Sequence, residues 1–145
     1  MLQIKQTTDI GNTPIVHLGL YRNVAIYLKL EGQNPSGALK DRLVSWVMSQ
    51  TPKSEWGGKT LLDASSGSQG CALALWGARN STKVTIVSNS KVSEENRRAI
   101  CALGATLRLE GKVTKDSRNH CLSMIEESPE EYFFFDQLGR IGAHH

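Results

Sequence analysis

The sequence contains two features whose residue types and spacing suit chemistry, and the first is Lys40. It follows Asn34-Pro35-Ser36-Gly37, a stretch whose proline and glycine predict a turn. Leu39, Leu43 and Val47 then recur at helical spacing, so Lys40 lies in the first turn of a predicted helix, which Ser36 or Gly37 can cap. A cation at that end opposes the helix dipole, and this field favours the neutral amine that nucleophilic lysines need. Taken alone, a helical lysine is usually an ordinary solvated residue.

The second feature is the loop Ser65-Ser66-Gly67-Ser68-Gln69-Gly70, between a predicted strand and a predicted helix. Ligands of open α/β sheets bind at such strand-to-helix loops. The glycines permit a tight turn, and the amides and hydroxyls could hold an anion at the positive end of the helix. The loop matches neither GxGxxG nor a P-loop, so neither a dinucleotide nor ATP is indicated. A polar turn that only caps the helix explains it equally well from local sequence.

The elements around these features alternate between strand and helix. Strands are predicted at 60–64, 84–87, 106–109 and 132–135, and helices at 71–79, from Ser93 to Gly104 and at 114–127. Two earlier apolar runs, 15–18 and 25–30, could pair as a hairpin. The pattern therefore predicts a three-layer α/β fold, in which a mostly parallel sheet carries helices on both faces and follows a short β-hairpin.

Composition narrows the class of protein. The net charge is only +3, and no basic cluster is interleaved with aromatic residues, so nucleic acid is not an expected partner. No apolar run approaches the length that crosses a bilayer, and the N-terminus lacks a secretion signal. Cys71, Cys101 and Cys121 are odd in number and widely spaced, which favours buried thiols in a reducing compartment. We therefore expect a cytoplasmic domain without a membrane span.

The histidines do not predict a metal site. His17 and His120 are isolated, and the adjacent pair His144 and His145 is interpreted as a frayed chain end. No metal is expected.

Several motifs in order resemble the cysteine synthase and cystathionine β-synthase family of fold-type-II enzymes that use pyridoxal phosphate (PLP). The matching stretches are 10–14, 29–31 running into 34–42, 65–70, 102–105 and 135–138. The resemblance covers nearly the whole chain. It implies residues 1–34 as an N-terminal hairpin segment that belongs to the large domain of full-length relatives. It also implies residues 35–145 as the small α/β domain, with the C-terminal large domain absent.

The resemblance also implies roles for individual residues. Lys40 corresponds to the lysine that bonds covalently to PLP and acts as the base for the substrate's α-proton. The loop corresponds to the site of the substrate carboxylate, so Ser65, Ser66, Gly67 and Gln69 are predicted carboxylate-binding residues, together with Gln137. Ser68 is predicted to contact the cofactor, although the family usually has an asparagine there and a threonine in place of Gln69. The substrate would be a small β-substituted amino acid.

The family's later Gly/Thr-rich loop, which holds the PLP phosphate, has no match in this chain. Phosphate contacts are charge-assisted and strong, so we expect PLP to bind weakly or to depend on a missing part. Two interpretations follow. The chain is the N-terminal portion of a cysteine-synthase-like enzyme, inactive alone and completed by a C-terminal domain or protein partner, with oligomers possible. Alternatively, it is a truncated pseudoenzyme whose loop binds carboxylates or peptide C-termini.

Overall fold

The structure, a computed structural model, describes residues 10–140. Its strands are Ile15–Tyr21 (β1), Val24–Lys29 (β2), Thr60–Ala64 (β3), Val84–Ser88 (β4), Thr106–Leu109 (β5) and Tyr132–Phe134 (β6). Its helices are Lys40–Gln50 (α1), Lys53–Trp56 (α2), Ser68–Arg79 (α3), Glu94–Ala102 (α4), Thr114–Glu127 (α5) and Gln137–Arg140 (α6). A 3₁₀ turn at Glu31–Gln33 connects β2 to the segment before α1. No described helix is both long enough and apolar enough to cross a membrane.

The four later strands form one parallel sheet in the order β5-β4-β3-β6. The chain steps outward from β3 through β4 to β5, then returns and adds β6 on the other side of β3. Right-handed crossovers therefore place α3 and α4 on one face and α5 on the opposite face. The order reverses between β3 and β6, and a ligand crevice is expected at the carboxyl ends of those two strands.

Alternation along β3 divides the core into two clusters. Leu61 faces α3 and α4, where it lies with Leu73 and Ile100, whereas Leu62 faces α5 and lies with Cys121 and Met124. All but Met124 are fully or almost fully buried. The predicted three-layer fold, with a mostly parallel sheet and helices on both faces, is confirmed.

Several local predictions are confirmed to the residue. Strand β5 and helix α5 have the predicted bounds. The hydroxyl of Ser93 caps α4 by accepting the Asn96 N–H at 3.2 Å, as its position before two glutamates predicted. Gly104 follows α4 with φ +80°, the left-handed conformation in which glycine ends a helix.

Three predictions need correction. α1 begins at Lys40, so neither Ser36 nor Gly37 caps it; instead the Asp41 carboxylate accepts the Ser36 N–H at 2.7 Å. α3 begins at Ser68, which makes the second half of the 65–70 loop the first turn of that helix. Cys101 is exposed, although Cys71 and Cys121 are buried as expected. The short α2 was not predicted, because four residues carry too little periodicity.

The predicted hairpin is confirmed and forms its own two-stranded sheet. Arg22 and Asn23 both have positive φ, 48° and 65°, as a tight two-residue hairpin turn requires. Its apolar side chains are largely in solvent. Those more than half exposed, which we call the hairpin surface, are Ile15, Leu18, Leu20, Tyr21, Val24 and Tyr27. A lone hairpin is marginally stable in water, and large apolar side chains exposed in this number are unusual for a surface that contacts only solvent.

Candidate functional site

Ser65 gives the loop after β3 its shape. Its side-chain oxygen accepts the N–H of Gly67 at 3.2 Å and the N–H of Gly70 at 3.0 Å, and the residue is 3% exposed. The hydroxyl lies 3.4 Å from the Gly67 carbonyl, to which it donates. A single buried hydroxyl therefore closes the loop by bonding across its turn.

The same arrangement leaves other amides available. Within residues 10–140, the backbone N–H groups of Ser66, Ser68 and Gln69 have no acceptor. Ser68 and Gln69 begin the twelve-residue helix α3, where free N–H groups and the helix dipole favour an anion. The geometry suits a carboxylate, which accepts from several N–H groups at once.

Gln137 lies at the same end of the sheet. Its side-chain Nε2 donates to the Ala64 carbonyl at 3.3 Å, and its backbone N–H points to the Asp63 carboxylate at 3.5 Å. The structure thus places Gln137 against the end of β3, directly before the 65–70 loop, where the strand order reverses between β3 and β6. Their binding roles stay predictions.

The side chain of Gln69 points away from the predicted ligand site. Its side chain is 2% exposed, and its Nε2 donates to Asp63 Oδ2 at 3.2 Å. Its Oε1 is buried without a hydrogen-bond partner among residues 10–140. The side chain points into the protein, so the contact open to Gln69 at the anion site is through its backbone N–H.

Asp63 is the residue that the sequence interpretation missed. It is 1% exposed at the end of β3, and this burial raises the pKa of its carboxyl to about 7. Hydrogen bonds from Ala64, Gln69 and Gln137 oppose the shift, and the nearby Asp136 carboxylate adds to it. The available signal was an acidic residue within an otherwise buried strand, since carboxylates are rarely buried without a specific partner.

An ion pair supports the turn before Gln137. Arg118 of α5 contacts the Asp136 carboxylate with Nε and with a terminal guanidinium nitrogen, each at 2.8 Å, and the pair raises the pKa of Arg118. Asp136 has φ +47°, a strained conformation for a non-glycine residue. The two-point contact stabilises that conformation and thereby fixes where α6 begins.

Lys40 is the first residue of α1 and is partly buried. Helix α1 packs against α3, whose first turn forms part of the anion loop. Within residues 10–140, the Lys40 amine forms no ion pair or hydrogen bond, and none connects it to the loop. The amine is thus not committed to a structural contact in the described part of the chain.

A polar network, which we call the α1 anchor, fixes the start of that helix. Arg42 binds the Glu31 carboxylate with two nitrogens at 2.8 Å each, and Thr13 donates its hydroxyl to the same carboxylate at 2.8 Å. Asn34 donates to Glu31 at 2.7 Å and accepts the Gly11 N–H at 2.9 Å. These bonds, Arg42 first, lower the pKa of Glu31 to about 2. Three of the family-like sequence motifs therefore meet in one network.

The α1 anchor gives a first testable prediction. We expect Arg42→Gln to raise the pKa of Glu31 and to accelerate hydrogen exchange at the Gly11 amide, because the bidentate contact that orders the network is lost. NMR titration of the Glu31 side chain and amide exchange in the same samples measure both effects.

Arg98→Gln is the matched control, since Arg98 contacts Glu94 in an exposed pair on α4. It should leave the Gly11 amide unchanged. Equal exchange at Gly11 in Arg42→Gln and in the unsubstituted protein would contradict the role assigned to Arg42.

The described residues contain no cluster of three or more histidine, cysteine, aspartate or glutamate side chains that could hold a metal ion. The predicted terminal pair, His144 and His145, lies outside the described residues.

Comparison with known proteins adds a family match. Residues 6–143 match the family model described as pyridoxal-phosphate dependent enzyme. The cysteine synthase of Aquifex aeolicus is 33% identical over 138 residues, which cover 88% of this chain and 42% of that protein. Cysteine synthase B of Escherichia coli is 38% identical over 121 residues, which cover 80% of this chain and 38% of that protein.

Solved structures agree. A hydrogen sulfide-producing enzyme from Fusobacterium nucleatum superposes with a TM-score of 0.78 at 27% identity, over 94% of this chain and 46% of that one. Cysteine synthase from Entamoeba histolytica gives a TM-score of 0.78 at 28% identity, over 92% and 43%. The chain thus spans less than half the length of the relatives it matches.

Proposed function

We propose, since the chain belongs to the family of pyridoxal-phosphate-dependent enzymes, that it is the lysine-bearing and carboxylate-binding portion of a cysteine-synthase-like enzyme. Its reaction would be replacement or elimination of the β-substituent of an amino acid, as in cysteine biosynthesis. The observation that carries the proposal is the anion loop with its free Ser66, Ser68 and Gln69 amides, opposite Gln137 where the strand order reverses.

The residues present fit the reactive end of PLP and the carboxylate of its amino-acid substrate. The Lys40 amine is uncommitted within the described chain, and the loop amides suit the carboxylate of an amino acid. The Ser68 hydroxyl lies on the same loop and is the group proposed to contact the cofactor ring. When bound, PLP would supply the electron sink for bond cleavage at the amino acid's α-carbon.

Each residue then has a separate task. The amides of Ser66, Ser68 and Gln69 hold the substrate carboxylate, and Gln137 borders it. This binding fixes the orientation of the amino acid, which is a large contribution to any catalysed step. Lys40 would hold PLP through its amine, and the same amine, when it is free, would accept the proton from the α-carbon.

We propose that the hairpin surface is where the rest of the enzyme docks. The relatives are more than twice as long as the matched region, and the hairpin exposes six large apolar residues on a sheet of only two strands. In this proposal residues 1–34 act with a C-terminal domain or protein partner that supplies the phosphate contacts. Residues 35–145 form the small domain.

The test is covalent trapping of PLP. We expect limiting PLP followed by borohydride reduction to label one site, Lys40, because reduction fixes an otherwise reversible bond between amine and aldehyde. Peptide mass spectrometry locates the label. Lys40→Ala should lose it, whereas Lys53→Ala, which removes an exposed lysine at the first position of α2, should keep it. Equal labelling of several lysines, unchanged in Lys40→Ala, would contradict the proposal.

One observation favours a second candidate, a carboxylate-binding module without catalysis. The Gln69 side chain is turned inward to Asp63, away from any ligand on the loop. In this function the loop binds peptide C-termini. Peptides with a free terminal carboxylate should then bind saturably and their amidated forms should not, with no Lys40-dependent label from PLP.

A further inference from the structure

We propose that Asp63 is the positioning residue of the carboxylate site: it holds the anion loop and the Gln137 turn together, and its charge state sets the loop's affinity for a carboxylate. The inference rests on the proposed function, because the ligand is the amino-acid carboxylate assigned to the loop. Asp63 itself need not touch that ligand.

Three hydrogen-bond donors converge on the Asp63 carboxylate, and these contacts support its role in positioning the loop. Oδ1 accepts the Ala64 N–H at 2.9 Å and faces the Gln137 N–H at 3.5 Å, while Oδ2 accepts from Gln69 Nε2 at 3.2 Å. The donors come from the end of β3, the first turn of α3 and the first residue of α6. Asp63 is the group that these three segments share.

Among the side chains that the structure describes, no cation is paired with Asp63. From α5, the charges of Arg118 and Cys121 interact electrostatically with Asp63, and Arg118 is already paired with Asp136. From the turn after β6, Asp136 adds a second negative charge. From α3 and α6 the facing groups are the neutral residues Gln69 and Gln137. Burial without a dedicated cation raises the pKa of Asp63 to about 7, so both charge states are populated near neutral pH.

The hydrogen-bond pattern accommodates both states. An ionised Asp63 only accepts, which matches Gln69 Nε2 at Oδ2. A protonated Asp63 donates from Oδ2, and a half-turn of the Gln69 amide presents Oε1, the buried atom that otherwise has no partner within residues 10–140. The loop keeps its position while the negative charge beneath it disappears.

The charge on Asp63 sets the direction in which carboxylate binding changes with pH. An ionised Asp63 repels a carboxylate on the adjacent amides, and a protonated one does not. The affinity of the loop for a carboxylate should therefore fall as pH rises through about 7. We expect a change of roughly tenfold, the size of effect for one like charge near a partly buried anion site.

The first experiment needs no ligand. We expect the Gln69 side-chain NH₂ and the Gln137 backbone amide to shift with one common midpoint near pH 7 in NMR titration of the full chain. Asp63→Asn should remove that midpoint from both signals. Signals that titrate independently, or a midpoint that survives Asp63→Asn, would overturn the inference.

The second experiment adds L-serine as the probe, with L-serinamide as the control that lacks the carboxylate. We expect L-serine to shift the Ser66 and Ser68 amides with about tenfold higher affinity at pH 6 than at pH 8. Asp63→Asn should bind equally at both pH values, close to the pH 6 affinity of the unsubstituted protein. A purely structural role would change the melting temperature but not this pH profile.

The outcomes separate the two proposals. L-serine binding with the same pH profile in both proteins would contradict the role of Asp63 and leave the proposed function intact. Equal binding of L-serine and L-serinamide would contradict the carboxylate site, and with it the inference.

Discussion

Asp63→Asn is expected to stabilise the protein at pH 8 by up to about 4 kcal/mol, and to have little effect at pH 3. This free energy corresponds to the rise in the pKa of Asp63 from 3.8 to about 7, at about 1.4 kcal/mol per pH unit. Since Asp63 is 1% exposed, screening by solvent reduces this free energy little. Relaxation of the protein around the ionised carboxylate lowers it, so about 4 kcal/mol is an upper value. Asparagine preserves the shape and can donate to Gln69 Oε1.

The direction follows from proton linkage. Below pH 3.8 Asp63 is protonated in both the folded and unfolded states, so the substitution is nearly neutral. Between pH 3.8 and about 7 the folded state binds more protons, and the stability of the unsubstituted protein falls as pH rises. Above about pH 7 Asp63 is ionised in the folded state, and the full free-energy cost of burying its charge is present. Asparagine does not titrate, so the substituted protein lacks this cost.

Urea unfolding across pH 3–8 measures the difference between the two proteins. Glu31 and Asp116, whose pKa values are lowered, contribute equally to the pH-dependent stability of both proteins, so their contributions cancel in the difference. Asp63→Leu is the control, because it also removes the charge but leaves the three donors unpaired, so it should be less stable than Asp63→Asn at every pH. A difference between Asp63→Asn and the unsubstituted protein that does not change with pH would contradict the argument.

Ser65→Ala is expected to lower stability by about 1–3 kcal/mol and to weaken L-serine binding at least tenfold. The stability loss comes from the part-buried N–H of Gly67, which loses its acceptor, and from the buried N–H of Gly70, which keeps only the Gly67 carbonyl as acceptor. Binding weakens because the free amides of the loop are aligned only while Ser65 closes the turn.

Ser66→Ala is the matched variant. Ser66 is partly exposed, its hydroxyl makes no hydrogen bond within residues 10–140, and its proposed contribution is a backbone N–H that alanine retains. Its stability should change by less than about 0.5 kcal/mol. Thermal unfolding and NMR titration with L-serine measure both variants. Equal losses in the two would show that Ser65 is not the residue that shapes the loop.

Local chemistry made much of the fold predictable. Ser93 followed by two glutamates, and the strand at 106–109, have signals within a few residues, and the structure places them as predicted. The start of α1 was missed because the hydrogen bond before the helix uses a side chain from inside it: the Asp41 carboxylate accepts the N–H of Ser36, five residues earlier. The usual capping patterns, in which a residue before the helix accepts from its first turn, do not predict this bond.

The sequence predicted where the candidate site lies, but not the hydrogen bonds within it. The 65–70 loop and Gln137 resemble family motifs, which located both. That Gln69 turns inward depends on Asp63 beneath it, and Asp63 also faces Gln137, which follows β6. The pairing of β6 with β3 joins residues more than seventy positions apart, as in the contact from Gln137 to Asp63. Alternating strands and helices do not specify on which side the last strand adds.

The strand order has a consequence for how the protein is made. Strand β3 is the first of the parallel sheet to leave the ribosome, but its second neighbour, β6, is the last. During synthesis one edge of β3 stays open until the chain beyond Gln137 has emerged, and the anion loop has no opposite wall. Long-range pairing of this kind slows folding and exposes an edge to other chains. Premature termination before Tyr132 should therefore yield an aggregating product, not a smaller binding domain.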